Sequence, residues 1–222
     1  MDREHFERHG YCIVRNMLAE EDLAKVETDY GVLVNQRAQR WLELGYLSTT
    51  HGDKPFDKRL AAIAADLPAH IQESELRPFL HEMDTMSARC KGTFEFFFSK
   101  GLLAAVEQLV GPEITLNPIQ HIRPYIPHRF AGGYGSTTWH QDQAVTQEEA
   151  DGVDIVTCWI PFTTATRENG ALRILKNVAG EKKLVIGHHE DDKVAALWPG
   201  GEPVDCLLNR GDAVFISAYA LR

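Results

Sequence analysis

Gly132-Gly133-Tyr134-Gly135-Ser136-Thr137-Thr138-Trp139-His140-Gln141-Asp142 is the stretch on which the reading of this chain turns. It ends with an imidazole and a carboxylate two positions apart. In an extended strand residues i and i+2 point to the same face, so His140 and Asp142 are placed to hold one metal ion between them. Neutral imidazole and carboxylate are donors that suit a first-row divalent metal.

Working outward, the texture of the sequence changes once. From Ile114 onward short β-type runs are punctuated by Gly, Pro, Asn and Asp, the pattern of an all-β sandwich or barrel. Strands are expected near 114–126, 154–162, 171–176, 203–208 and 212–220. Before about residue 111 the chain reads as mainly helical, with a strand-like Tyr11-Cys12-Ile13-Val14 ahead of the first long helix. Acids at Glu20, Glu21 and Asp22 suit a first helical turn, and Leu23, Val26, Tyr30, Leu33 and Val34 recur at helical spacing. Further helices are expected at about 75–90 and 100–110, the latter ending at Gly111-Pro112, with Ser48 to Pro55 as loop. The expected class is therefore α+β with a mainly β core. It is a single domain over 1–222, with a helical portion at 1–111 and a jelly-roll core at 112–222 whose site lies in the mouth.

Composition excludes several functions. A formal charge of -9 over 222 residues, with no basic stripe, argues against nucleic-acid binding, which draws its affinity from clustered Lys and Arg. Apolar runs such as Leu102 to Val110 fall short of the roughly 20 residues a membrane span needs. Met1-Asp2-Arg3-Glu4-His5 is too polar for a signal peptide, so a cytoplasmic protein is expected. Cys12, Cys90, Cys158 and Cys206 have no metal-site spacing and read as reduced thiols without a role.

Several segments together resemble the phytanoyl-CoA dioxygenase family. They are Phe6 to Leu18 followed by an acidic helix start, Trp139-His140-Gln141-Asp142, Thr157-Cys158-Trp159-Ile160-Pro161-Phe162, Glu168-Asn169-Gly170-Ala171-Leu172 and Gly211-Asp212-Ala213-Val214-Phe215. They occur in the family's order and run from residue 6 to the end. The resemblance implies a double-stranded β-helix holding Fe(II) between two His and one carboxylate. It also implies 2-oxoglutarate as cosubstrate, O2 as oxidant and hydroxylation of a small organic substrate. Such a triad leaves three positions of an octahedral ion open, enough for a bidentate 2-oxo acid and oxygen.

On this reading His140 and Asp142 are the metal ligands and catalytic centre. Trp159 would line the 2-oxoglutarate pocket, although a plain core aromatic would look the same. On an expected strand before the motif, Asn117, Ile119, His121 and Arg123 share one face, so Asn117 and His121 are expected to approach the cosubstrate, with a solvated outer face as the rival reading. Thr137 is a further hydrogen-bond donor to the same pocket. Asn169-Gly170 reads first as a turn. His188-His189 reads as a solvated polar loop, because adjacent side chains diverge in extended chain. Arg123, His128 and Arg129 hint at an anionic substrate group or at solvated loop charge.

Two departures from the family matter. The second His, counted from Gly211-Asp212, falls at Leu221-Arg222, and a guanidinium has no lone pair to give a metal. The residues that would grip the far carboxylate of 2-oxoglutarate would lie further on, and Lys176-Asn177-Val178-Ala179-Gly180 stands where relatives have Pro-Gly-Ser-His. The expectation is a C-terminally incomplete β-helix, a shortened dioxygenase. The alternatives are a non-catalytic β-helix binding module, a cupin-like metalloprotein using a different metal with His121 as a third donor, and a scaffold recruiting a chain at Phe215 to Tyr219. Oligomeric state and substrate identity are not readable.

Overall fold

The computed structural model describes residues 1–118, 120–124, 126, 139–146, 150, 153–175 and 202–222. They fall into two compact units: Met1–Met17 with Gly101–Ile114 and Ser136–Arg222, and Leu18–Lys100 with Thr115–Gly135. Among the described residues no helix is long and apolar enough to cross a membrane.

In the first unit, α1 (Arg3–His9) is opened by Asp2, whose carboxylate accepts the His5 amide at 2.9 Å. It is closed by Gly10 at φ +77°, where a left-handed residue turns the chain out of the helix. The chain then enters β1 (Tyr11–Val14). The other strands are β2 (Val156–Trp159), β3 (Arg173–Ile174), β4 (Val204–Asp205) and β5 (Ala213–Ser217). Strand β5 lies between β1 and β2, antiparallel to both, while β3 pairs antiparallel with β4.

The register fixes the faces. Tyr11 and Thr157 both sit opposite Ile216, and Ile13 and Trp159 both sit opposite Val214. Paired residues point the same way, so these six share one face. That face packs into a core of Tyr11, Ala165, Ile174, Cys206, Leu208, Val214, Ile216 and Ala220. A short helix, α7 (Lys100–Val110), falls where the sequence placed it.

All four strands expected from residue 154 onward are present but shorter than read. Pro161 has no N–H to continue the ladder beyond Trp159, and Ala220 N–H turns back to the Ser217 carbonyl at 2.8 Å to end β5. The expected strand at 114–126 is a correction. Its described residues form no strand, and Pro118 and Pro124 break the row of backbone donors that pairing requires.

The second unit is helical. It contains α2 (Glu20–Glu43), α3 (Phe56–Asp66), α4 (Ala69–Ile71), which passes through a π-helical stretch (Gln72–Leu76) into α5 (Arg77–Glu82), and α6 (Lys91–Phe96). Along α2 the buried positions Leu23, Val26, Tyr30, Val34, Ala38 and Trp41 recur every three or four residues and form its core face. Trp41 is fully buried, edge-on to Phe79 with ring centroids 5.7 Å apart. In the π-helical stretch the buried Gln72 donates to the carbonyls of Ala64 and Leu67 at 2.9 and 2.7 Å, satisfying the buried C-terminal end of α3. The helix expected at 75–90 therefore begins earlier and stops at Glu82, after which Ser87 N–H closes a turn on Asp84.

Candidate active site

The first unit brings the side chains of His140, Asp142, Thr157 and Arg222 together. His140 and Arg222 exchange both backbone hydrogen bonds, His140 N–H to Arg222 O at 3.0 Å and Arg222 N–H to His140 O at 3.1 Å. This is the reciprocal pair of an antiparallel ladder, which sets the two residues directly opposite each other. Leu221 is fixed from its other side by Leu175 N–H at 2.9 Å, so the segment after β5 is held on both flanks. Between the ligating candidates, Gln141 is fully buried and donates to the Tyr219 carbonyl at 2.7 Å. Gln143 N–H reaches Ala218 O at 3.0 Å.

The His140–Asp142 pair meets for a different reason from the one the strand argument gave. Gln141 is extended, but Asp142 already begins a 3-10 turn, Asp142–Val145. The side chains still converge, with His140 Nε2 3.4 Å from Asp142 Oδ1. Two donors bound at right angles to one ion at about 2.1 Å stand about 3 Å apart, so the observed gap lies near that of a shared metal.

Asp142 is crowded. Thr157 Oγ1 donates to its Oδ2 at 2.6 Å, and Arg222 Nη2 lies 2.7 Å from Oδ1 and 2.9 Å from Oδ2. The side chains of His140, Asp142 and Arg222 are only 17%, 18% and 17% exposed, so solvent screens these charges poorly. Burial by itself would push the Asp142 carboxyl up. The hydrogen bond of His140, the charge of Arg222 and the Thr157 hydroxyl outweigh it and hold the group well below the usual carboxylate range.

The remaining sequence candidates lie as follows. Trp159 is half-buried on β2, on the same face as Thr157, and packs against the core of the first unit. Asn117 and His121 belong to the second unit, in the stretch that forms no strand, so the period-two argument for their sharing a face has no basis there. His121 is engaged within that unit, its Nδ1 2.7 Å from Asp84 Oδ2. Thr137, the Gly132 to Gly135 run, His128, Arg129 and His188-His189 lie outside the described residues. Among the described residues no group of three His, Cys, Asp or Glu gathers for a metal. Asn169 does form the expected turn, its side chain accepting from Thr166 N–H at 2.7 Å. The four cysteines are free, and burial pushes the Cys12 thiol up to about 11 and Cys206 up to about 12.

Sequence reasoning did not single out Thr157 or the Arg222–Asp142 contact. The signal for Thr157 was available, since it stands two residues before Trp159 and shares its face.

A family model for phytanoyl-CoA dioxygenase (PhyH) matches residues 6–221. The chain belongs to the phytanoyl-CoA dioxygenase family. Members of the phytanoyl-CoA dioxygenase family use Fe(II) and 2-oxoglutarate. No curated protein matches the sequence. Among solved structures the chain is similar to EvdO2 from Micromonospora carbonacea var. aurantiaca complexed with 2-oxoglutarate, at 16% identity. The match has a TM-score of 0.42 and covers 99% of this chain and 81% of that one.

Against the family's cofactors, the donor chemistry fits in part. His140 and Asp142 are donors of the right type at the right separation for Fe(II). The residue opposite His140 is Arg222, which donates hydrogen bonds and ligates nothing.

Proposed function

We propose that this chain carries the half-site of a non-haem Fe(II)- and 2-oxoglutarate-dependent dioxygenase that hydroxylates a small organic substrate. The single observation that carries the reading is the approach of His140 Nε2 to Asp142 Oδ1, 3.4 Å apart and largely shielded from solvent, in a chain of this family. His140 and Asp142 would hold the ion, and bound Fe(II) would supply the chemistry that couples 2-oxoglutarate decarboxylation to C–H hydroxylation. The chain's own residues orient the pair. Thr157, on β2, fixes the Asp142 carboxylate, and Gln141 and the His140–Arg222 backbone pair fix the main chain on either side.

The antiparallel pairings β1–β5–β2 and β3–β4 support a double-stranded β-helix core, and the family match over residues 6–221 supports a single dioxygenase-like domain. Trp159, sharing the face of Thr157, is proposed to line the 2-oxoglutarate pocket, with Thr137 as a further cosubstrate contact. A second reading, a β-helix binding module without iron chemistry, is favoured by one contact, the guanidinium of Arg222 on Asp142.

Anaerobic calorimetry of 2-oxoglutarate binding with and without Fe(II) tests the proposal. The expected result is metal-dependent binding that needs high iron, with little succinate formed when oxygen is admitted. Binding of 2-oxoglutarate equally well without metal contradicts it, and efficient succinate release contradicts the half-site.

A further inference from the structure

Arg222 Nη2 spans both oxygens of Asp142, at 2.7 and 2.9 Å, with Thr157 already on Oδ2 and His140 beside Oδ1. A carboxylate has about four lone-pair positions, and Thr157, Arg222 and His140 between them engage both of its oxygens. We infer that Arg222 is a built-in competitor of the metal ion, a protein-borne cation that occupies Asp142 in the position a divalent ion would take. The inference rests on the reading of His140 and Asp142 as a metal pair.

Three features support it. The carboxylate is 18% exposed, and a carboxylate so shielded from solvent is stabilised by a cation close by. Arg222 supplies one without needing metal. The backbone exchange between His140 and Arg222 sets the guanidinium on the same side of the pair as the imidazole, so cation and imidazole converge on one carboxylate. The pairing is also imperfect. A strong Arg–carboxylate bridge uses two nitrogens as a fork, whereas here one nitrogen serves both oxygens and Arg222 Nε is buried with no hydrogen-bond partner among the described residues. A guanidinium held this way is displaceable. Metal and Arg222 are then alternative occupants, and the apparent metal affinity is reduced by the fraction of molecules in which Arg222 holds Asp142.

The test compares the full chain with Arg222→Gln, which keeps a shorter, neutral hydrogen-bond donor and removes the charge. Mn(II) serves as the air-stable probe, and binding is read by calorimetry and by the metal-induced rise in unfolding temperature. The expected result is that Arg222→Gln binds Mn(II) on the order of tenfold tighter than wild type, and that the gain vanishes in Arg222→Gln/His140→Ala. A variant that folds only when Mn(II) is added also supports exchangeable cations. Equal Mn(II) affinity in wild type and Arg222→Gln, both lost with His140→Ala, overturns the competition and leaves the metal pair standing. A variant that stays unfolded in millimolar Mn(II) overturns it too, because metal then fails to substitute for the guanidinium. Absence of any His140-dependent binding in a folded Arg222→Gln overturns the inference together with the metal reading beneath it.

Discussion

Asp142, partly buried, and Asp212, fully buried, are carboxylates kept in the charged form by different sets of partners. Around Asp142 the partners are side chains, His140, Thr157 and Arg222. Around Asp212 two of the three are backbone amides: Asn16 N–H at 2.9 Å and Asn209 N–H at 2.8 Å, joined by Arg15 at 2.7 Å. This explains why the Gly211-Asp212 turn belongs to the frame. Gly211, at φ +88°, accepts from Met17 N–H while Asp212 ties the end of β1 to the start of β5. Burial alone would raise the Asp212 carboxyl, and the Asn16 amide, Arg15 and the Asn209 amide hold it below its usual range. A folded value below the unfolded one, about 3.9, gives stability that is present above that pH and is lost as pH falls through the folded value. Asp212→Asn is therefore expected to lose about 2 kcal/mol at neutral pH and to flatten the acid limb of the stability curve, measured by urea unfolding between pH 3 and 7. An acid limb unchanged from wild type would show that another carboxylate governs it.

At the scale of elements, close approach decides more than propensity does. Gly92 at the start of α6 packs so tightly on α2 that a Cβ there would run into the Lys25 carbonyl, and its N–H donates to Asp29 Oδ2 at 2.5 Å. Gly92→Ala is expected to destabilise the helical unit by about 1–3 kcal/mol, read as a lower urea midpoint with an unchanged slope. A neutral substitution would mean that α6 shifts freely. The long helix α2 was legible in sequence because its buried residues repeat every three or four positions behind an acidic first turn. Helices α1, α3 and α6 were not singled out: α1 and α6 are 7 and 6 residues long, and α3 buries only Ile63 and Ala64, so none carries a long apolar repeat. The strand reading failed at 114–126 because β-type composition was counted without the cost of Pro118 and Pro124 to a ladder. It succeeded for β5, a continuous apolar run from Ala213 to Ile216 that is buried on both faces and is introduced by Gly211-Asp212.

At the scale of the whole molecule, the order of helical and β segments and the His140-Gln141-Asp142 motif were readable from residue types alone. The return of residues 218–222 onto 140–143 was not readable, since it depends on backbone pairing between segments about 80 positions apart. That return sets Arg222 opposite His140 and makes the charge balance of the site a property of the tertiary fold. The account as a whole depends on His140 and Asp142 acting as one metal-binding pair. The most direct measurement is the visible metal-to-ligand charge-transfer band on adding saturating Fe(II) and 2-oxoglutarate to the purified chain without oxygen. The band is predicted to form at high iron in wild type and to disappear in His140→Ala. No band in a folded protein, or a band that survives His140→Ala, would contradict the account.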